Sequence, residues 1–300
     1  MAEQNQGIIY GIFAYMLWGI LPVYWKFLET TGADIVLAHR IIWSFVFMIG
    51  FILGTKRWAA FTAEWKRIIR KGKTFVTIAS ASIVISLNWL VFIWAVQHDF
   101  VVQASLGYYI NPLVSVLFAI IFLKESLSKG QLISFLLAGI GVVYLTMDYG
   151  VFPWVSLVLA FSFASYGLLK KIASIDATFS LAIETLVVTP IALLYLWATA
   201  GASIGFSGES FSIVTLLIGA GVATAIPLLL FGSAVLYIPL SMVGFLQYIA
   251  PTFMLFLGVF LYNEPFTQAH LITFTLIWVS LALYMYSSFQ QHKKTKSASS

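Results

Sequence analysis

Arg40 and His39 stand side by side in "DIVLAHRIIWSFVFMIGFILG", residues 34–54, a stretch otherwise apolar and long enough to cross a bilayer. A charge at that depth is costly and marks either a pathway or a structural bond. The guanidinium of Arg40 is a planar fork that holds carboxylate or phosphate bidentately, which makes it a candidate substrate anchor. The competing reading is a side chain that snorkels to the outer surface or bonds a helix end. Glu184, in "TFSLAIETLVV", is the second intramembrane charge, a candidate for carrying a proton or cation, with a purely structural pairing as its alternative. His39 points about 100° away from Arg40 on a helix, so it fits a helix-packing hydrogen bond better than a shared anion site.

Uncharged candidates surround these. Ser105, Tyr108, Tyr109 and Pro112 recur at i, i+3, i+4 and i+7, with Asn111 beside the proline. Gln247, Tyr248 and Pro251 repeat part of that pattern. An intramembrane proline frees a carbonyl, which is tolerated where a cavity or partner meets it. Asn88, Trp89 and Trp43 lie deep in their segments, whereas Trp25, Trp58, Trp65, Trp154 and Trp197 fall near segment ends, where interfacial belts place them. Together the deep residues form a candidate substrate pathway, the alternative being hydrogen-bonded glue between packed helices. There is no cysteine, no H-E-x-x-H, no nucleophile motif and no phosphate-binding loop, so catalytic residues, metal ligands and cofactors are expected to be none.

The elements that position these groups follow from composition. The chain is 61% hydrophobic and 9% charged, with a mean hydropathy of +0.98. That leaves too little polar surface to coat a water-soluble core, so the solvent is lipid. Ten apolar segments lie near 7–28, 34–54, 74–96, 102–123, 130–147, 152–171, 178–200, 211–236, 241–262 and 268–288. Connections are short except for a basic loop at 55–73 and a polar one at 201–210, and a polar tail, 289–300, is expected to be disordered and cytoplasmic. Fourteen of the sixteen Lys and Arg residues fall on one side of this arrangement, which puts both termini in the cytoplasm of a plasma-membrane protein. The net charge of +5 is thus an orientation signal and implies no nucleic acid; for loop 55–73 the rival reading is anionic lipid binding.

The second half repeats the first. Residues 81–147 laid on 220–286, a shift of 139, give thirteen identities, among them Tyr109 on Tyr248, Pro112 on Pro251 and Glu125 on Glu264. A shift of 144 lays Arg40 on Glu184 and Lys26 on Lys170. Glu125 and Glu264 are expected at the interface, capping the start of the fifth and tenth segments. Five segments per copy is an odd number, so the second copy is inverted. The expected fold is all-α, ten transmembrane helices as two inverted five-helix repeats, 7–147 and 152–288, around a site exposed alternately to each side.

In order, "HRIIWSF", "NWLVFIWAV", "ASLGYYINPL", "LAFSFASYGLLKK", "ATAIPLLLF" and "GFLQYIAPT" resemble the RarD branch of the EamA group of drug/metabolite transporters. The resemblance implies a bacterial 5+5 permease whose relatives export amino acids, other metabolites or cationic drugs from a central cavity. The expectation is therefore a secondary transporter, an exporter of small metabolites or drugs by alternating access, not an enzyme, with possible proton coupling through Glu184. Arg40 favours an anionic or zwitterionic metabolite and the aromatic complement favours an amphipathic drug. The alternatives are a channel, or a membrane-embedded sensor or enzyme without transport turnover.

Overall fold

A computed structural model describes residues 2–98, 100–150, 152–200, 206, 210–263 and 266–298. Among them are twelve α-helices: α1 (Ala2–Lys26), α2 (Ala33–Gly54), α3 (Trp58–Arg70), α4 (Gly72–Gln97), α5 (Val101–Leu123), α6 (Lys129–Tyr149), α7 (Trp154–Ala173), α8 (Ala177–Ala200), α9 (Phe211–Tyr237), α10 (Leu240–Leu246), α11 (Ile249–Leu261) and α12 (Gln268–Ala298). Ten spans are long and apolar enough to cross a membrane, α10 and α11 together forming the ninth. Their bounds agree with the expected segments to within a few residues.

Three features differ from expectation. The basic stretch 55–73 contains the helix α3, whose Phe61 and Ile68 are buried beneath the basic residues. The ninth span breaks at Gln247–Tyr248, four and three residues before Pro251, which has no N–H to bond back to the Gln247 carbonyl. The α12 helix continues to Ala298, so the stretch 289–298, expected as disordered tail, is helical. The polar loop expected at 201–210 lies almost wholly outside the described residues.

Packing runs between the halves. α1 lies on α9, α10 and α11, while α7 lies on α4 and α5; α2 meets α8 and α9, while α8 meets α2 and α4; α5 pairs with α10 and α6 with α12. Exchanging α1 with α7, α2 with α8, α4 with α9, α5 with α10–α11 and α6 with α12 maps these contacts onto one another. This is the exchange symmetry that two copies of one five-helix unit require.

Lipid tails are as apolar as leucine, so the helices are held by close packing and hydrogen bonds rather than by escape from water. The tightest crossing is that of α2 and α9. A Cβ on Gly221 would lie 2.3 Å from the Trp43 carbonyl carbon, and Ser44 Oγ donates to the Gly221 carbonyl at 2.9 Å. Gly221→Ala must push these backbones apart. It is expected to cost about 1–3 kcal/mol, read as a lower unfolding midpoint in detergent; an unchanged midpoint would mean the crossing is not a constraint.

Candidate functional site

A cavity lies between the halves, where α2, α4, α7, α8 and α9 converge. Its walls carry four pairs of repeat equivalents: Ile41 with Thr185, Ser44 with Val188, Ile85 with Thr224 and Trp89 with Leu228. The cavity is therefore lined from both halves of the sequence. It offers about 20 Å³ of water-sized space, room for roughly one water molecule. Polar contacts join the α2 and α8 regions toward both ends of these helices, Arg57 to Asp176 at one end and Asp34 to Tyr195 at the other.

Arg40, on α2, lies beside the cavity, against two residues of its wall, Thr224 and Trp89. Its Nε donates to Thr224 Oγ1 at 3.0 Å, and its guanidinium carbon lies 4.6 Å from the Trp25 ring centroid and 5.0 Å from that of Trp89. Aromatic faces attract the cation without consuming its N–H groups. Among the described residues no carboxylate pairs with Arg40, and its two Nη groups make no hydrogen bond. A half-buried fork of donors, held by its flat face and one edge, is thus left open to an anion.

Glu184 enters the same cavity from α8 and is almost fully buried. It does not meet Arg40. Lys170 Nζ donates to Glu184 Oε1 at 2.6 Å, Ser180 Oγ donates to the same oxygen at 2.6 Å, and Tyr166 Oη donates to Oε2 at 2.9 Å. Lys170 also donates to Ser180 Oγ at 3.0 Å. The charge of Glu184 is therefore matched within the protein, by Lys170 and Tyr166 of α7 and by Ser180 of its own helix. Lys170 is a correction to the charge count: at 5% exposure it is a buried partner and not one of the surface cations. Its repeat equivalent, Lys26, behaves as expected of a surface residue and pairs with exposed Glu29 at 2.7 Å.

The cavity hydroxyls have a common polarity. Ser44 donates to Gly221, Ser82 to Ile78, Ser86 to Ser82 and Thr185 to Leu181, each to a backbone carbonyl. Their protons are spent, and what they can offer a solute is lone pairs. One flank of the site thus presents donors, on Arg40, and the other presents acceptors around Glu184.

The remaining expected residues are distributed unevenly. Trp89 lines the cavity and Tyr108 lies within coulombic range of Arg40. His39 is buried and stacks on Phe206, 4.7 Å between centroids, so it turns away from Arg40. Trp43 contributes its backbone to the α2–α9 crossing. Asn88 bridges α4 to α7, donating to the Leu159 carbonyl at 2.9 Å and to Ser162 Oγ at 2.8 Å. Ser105 is exposed. Tyr109 packs edge-on against Phe274, Asn111 accepts from Ser115, and the Pro112 carbonyl lies against Gly244. Gln247, Tyr248 and Pro251 are buried where α10 meets α11, and the Tyr248 hydroxyl has no partner among the described residues. In this conformation the tyrosine–proline helices face each other and not the cavity.

Glu125 does cap a helix, but not the one expected. Its carboxylate accepts from Leu240 N at 2.7 Å, Ser241 N at 3.0 Å and Ser241 Oγ at 2.6 Å. The capped helix is α10, the start of the ninth span, so the contact joins the two halves and not two neighbouring segments. Glu264 lies outside the described residues.

Residues 5–147 match the model of the EamA-like transporter family. The chain is 46% identical over 296 residues to the transporter YojE of Bacillus subtilis, covering 99% of both. It is 38% identical over 293 residues to the protein RarD of Salmonella typhi, covering 97% of this chain and 98% of that one. A solved crystal structure overlays with a TM-score of 0.72, covering 93% of this chain and 96% of its own, at 17% identity, and so shares the fold.

Removing one member of a buried pair strands the other as an uncompensated charge. Lys170→Met is expected to destabilise by about 3–5 kcal/mol, and Lys170→Met with Glu184→Met to recover most of that loss. The unfolding midpoints of the two variants in detergent test this; a single variant as stable as the wild type would show the pair to be dispensable.

Proposed function

The chain belongs to the EamA-like transporter family, and on that premise we propose that it is a secondary carrier that moves small zwitterionic or anionic metabolites by alternating access through the cavity beside Arg40 and Glu184. Its family and its relative YojE are named as transporters, and its ten apolar helices make it a multi-pass protein of the bacterial inner membrane. The observation that carries the finer reading is the symmetry of the cavity wall. A site lined by equivalent residues of two inverted copies is reached equally from either side when one half rocks against the other.

The polarity of the wall narrows the solute. Arg40 suits a carboxylate, with two donors arranged for bidentate contact. The opposite flank, with Glu184 and hydroxyls already committed as donors, suits an ammonium or another donor group. An amino-acid-like zwitterion satisfies both flanks, and a simple anion satisfies one. The Glu125 contacts describe one gate. Opening at that end requires parting α5 from α10, and three bonds to an ionised carboxylate hold that seam, each worth about 1.5–3 kcal/mol.

Two outcomes test this in proteoliposomes with a panel of labelled amino acids and organic acids. Trans-stimulated, saturable uptake separates a carrier from a channel. In Arg40→Ala, uptake of the active solute should fall at least thirtyfold, matching about 2 kcal/mol or more for a lost charge-assisted contact, with the unfolding midpoint kept within a few degrees. Unchanged uptake would remove Arg40 from the site. Glu184→Gln, tested in the same vesicles, should retain exchange but lose accumulation driven by an imposed pH gradient; full accumulation would exclude Glu184 as the proton carrier.

A further inference from the structure

The α3 helix carries a second surface, remote from the cavity. Around its axis, at about 100° per residue, three arcs follow one another. The first faces the protein: Phe61 and Ile68 are buried, Phe61 meets Phe179 of α8 at 5.8 Å, and Trp65 meets Phe75 of α4 at 6.4 Å. The second is apolar yet uncovered, with Trp58 45% and Ile69 52% exposed. The third is basic, with Lys66 and Arg70 exposed.

The charges of this region are sorted. Arg57 is neutralised by Asp176 and Arg67 by Glu64. Lys56, Lys66, Arg70, Lys71 and Lys73 have no acidic partner among the described residues. The connections also fix the height of the helix. Only Thr55–Arg57 separate α3 from the end of α2, and only Lys71 separates it from α4, both of them spans. The helix is thus held at the membrane surface.

We propose that α3 is a binding surface for anionic phospholipid, with Trp58 and Ile69 sunk at the acyl boundary and Lys66 and Arg70 holding the headgroup phosphate. A protein-facing arc, an exposed apolar arc and a basic arc in that order describe a helix lying in the interfacial plane. An acidic soluble partner would complement the cations but would leave Trp58 and Ile69 facing nothing apolar. The lipid so held lies against a helix whose Phe61 meets Phe179 of α8, while Arg57, just before that helix, bonds Asp176, just before α8.

The test uses the full chain in detergent, titrated with phosphatidylglycerol or phosphatidylcholine and read by its thermal unfolding midpoint. Phosphatidylglycerol should raise the midpoint, phosphatidylcholine should not, and the rise should shrink with added salt. In Lys66→Gln/Arg70→Gln the lipid concentration giving half the rise should increase by roughly tenfold or more. Trp58→Ser/Ile69→Ser should weaken the response too, and Lys124→Gln/Lys129→Gln, which removes two exposed cations elsewhere, should leave it intact. Equal responses to the two lipids would overturn the proposal. So would a full response in Lys66→Gln/Arg70→Gln, or a loss as large in the Lys124/Lys129 control.

Discussion

The interior of a bilayer supplies no water, so every polar group placed there must be satisfied by the protein itself. Most features of this chain follow from that constraint. Hydroxyls along the helices donate to carbonyls one turn back, as Ser82, Ser86 and Thr185 do. Asn88 ties α4 to α7 and Ser44 ties α2 to α9. The carboxylate of Glu184 collects three donors from two helices. Arg40 is compensated less fully. It is half-buried, charged, and given aromatic faces and one hydroxyl where Glu184 has a full set of partners. That contrast with Glu184 is what the proposed role of Arg40 as a substrate anchor rests on.

The two halves show how one backbone plan yields an asymmetric site. At equivalent places on α2 and α8 stand a cation and an anion, and at equivalent places on α4 and α9 stand Ile85 and Thr224. The packing needs only that apolar volume and close helix approach be kept, so polar identity is free to diverge. Divergence then produces a dipolar cavity. Thr224 accepts from Arg40, and Ile85 offers Glu184 nothing comparable; the missing support comes instead from Lys170, one helix away on α7.

The fold was largely legible because bilayer thickness imposes a length on each segment, and the ten spans were readable from hydropathy alone. Arg40 and Glu184 stood out for the same reason, being charges where charges are costly. Lys170 did not, because "KK" at a helix end looks like two surface lysines, and nothing local tells that one turns inward to a carboxylate fourteen residues on. Thr224 and Ser86 were hidden for the opposite reason, as single hydroxyls among many. The missed helix α3 had a visible signal: Trp58, Phe61, Trp65 and Ile68 recur at helical spacing beneath the basic residues. Charge density alone had made that stretch look like a loop. The tyrosine–proline motifs do repeat, yet repetition marks any position the packing requires, and here Tyr109 packs on Phe274 and the Pro112 carbonyl on Gly244.

Cavity size and compensation bear on one another. A cavity with room for about one water cannot hold a bare carboxylate without cost, and Glu184 is paired with Lys170, Ser180 and Tyr166. Lys170 does this without entering the cavity, which leaves the outer edge of the carboxylate and the lone pairs of the hydroxyls facing inward. In the function proposed above, a solute's ammonium would join that cluster without breaking it, and its carboxylate would complete the donors of Arg40.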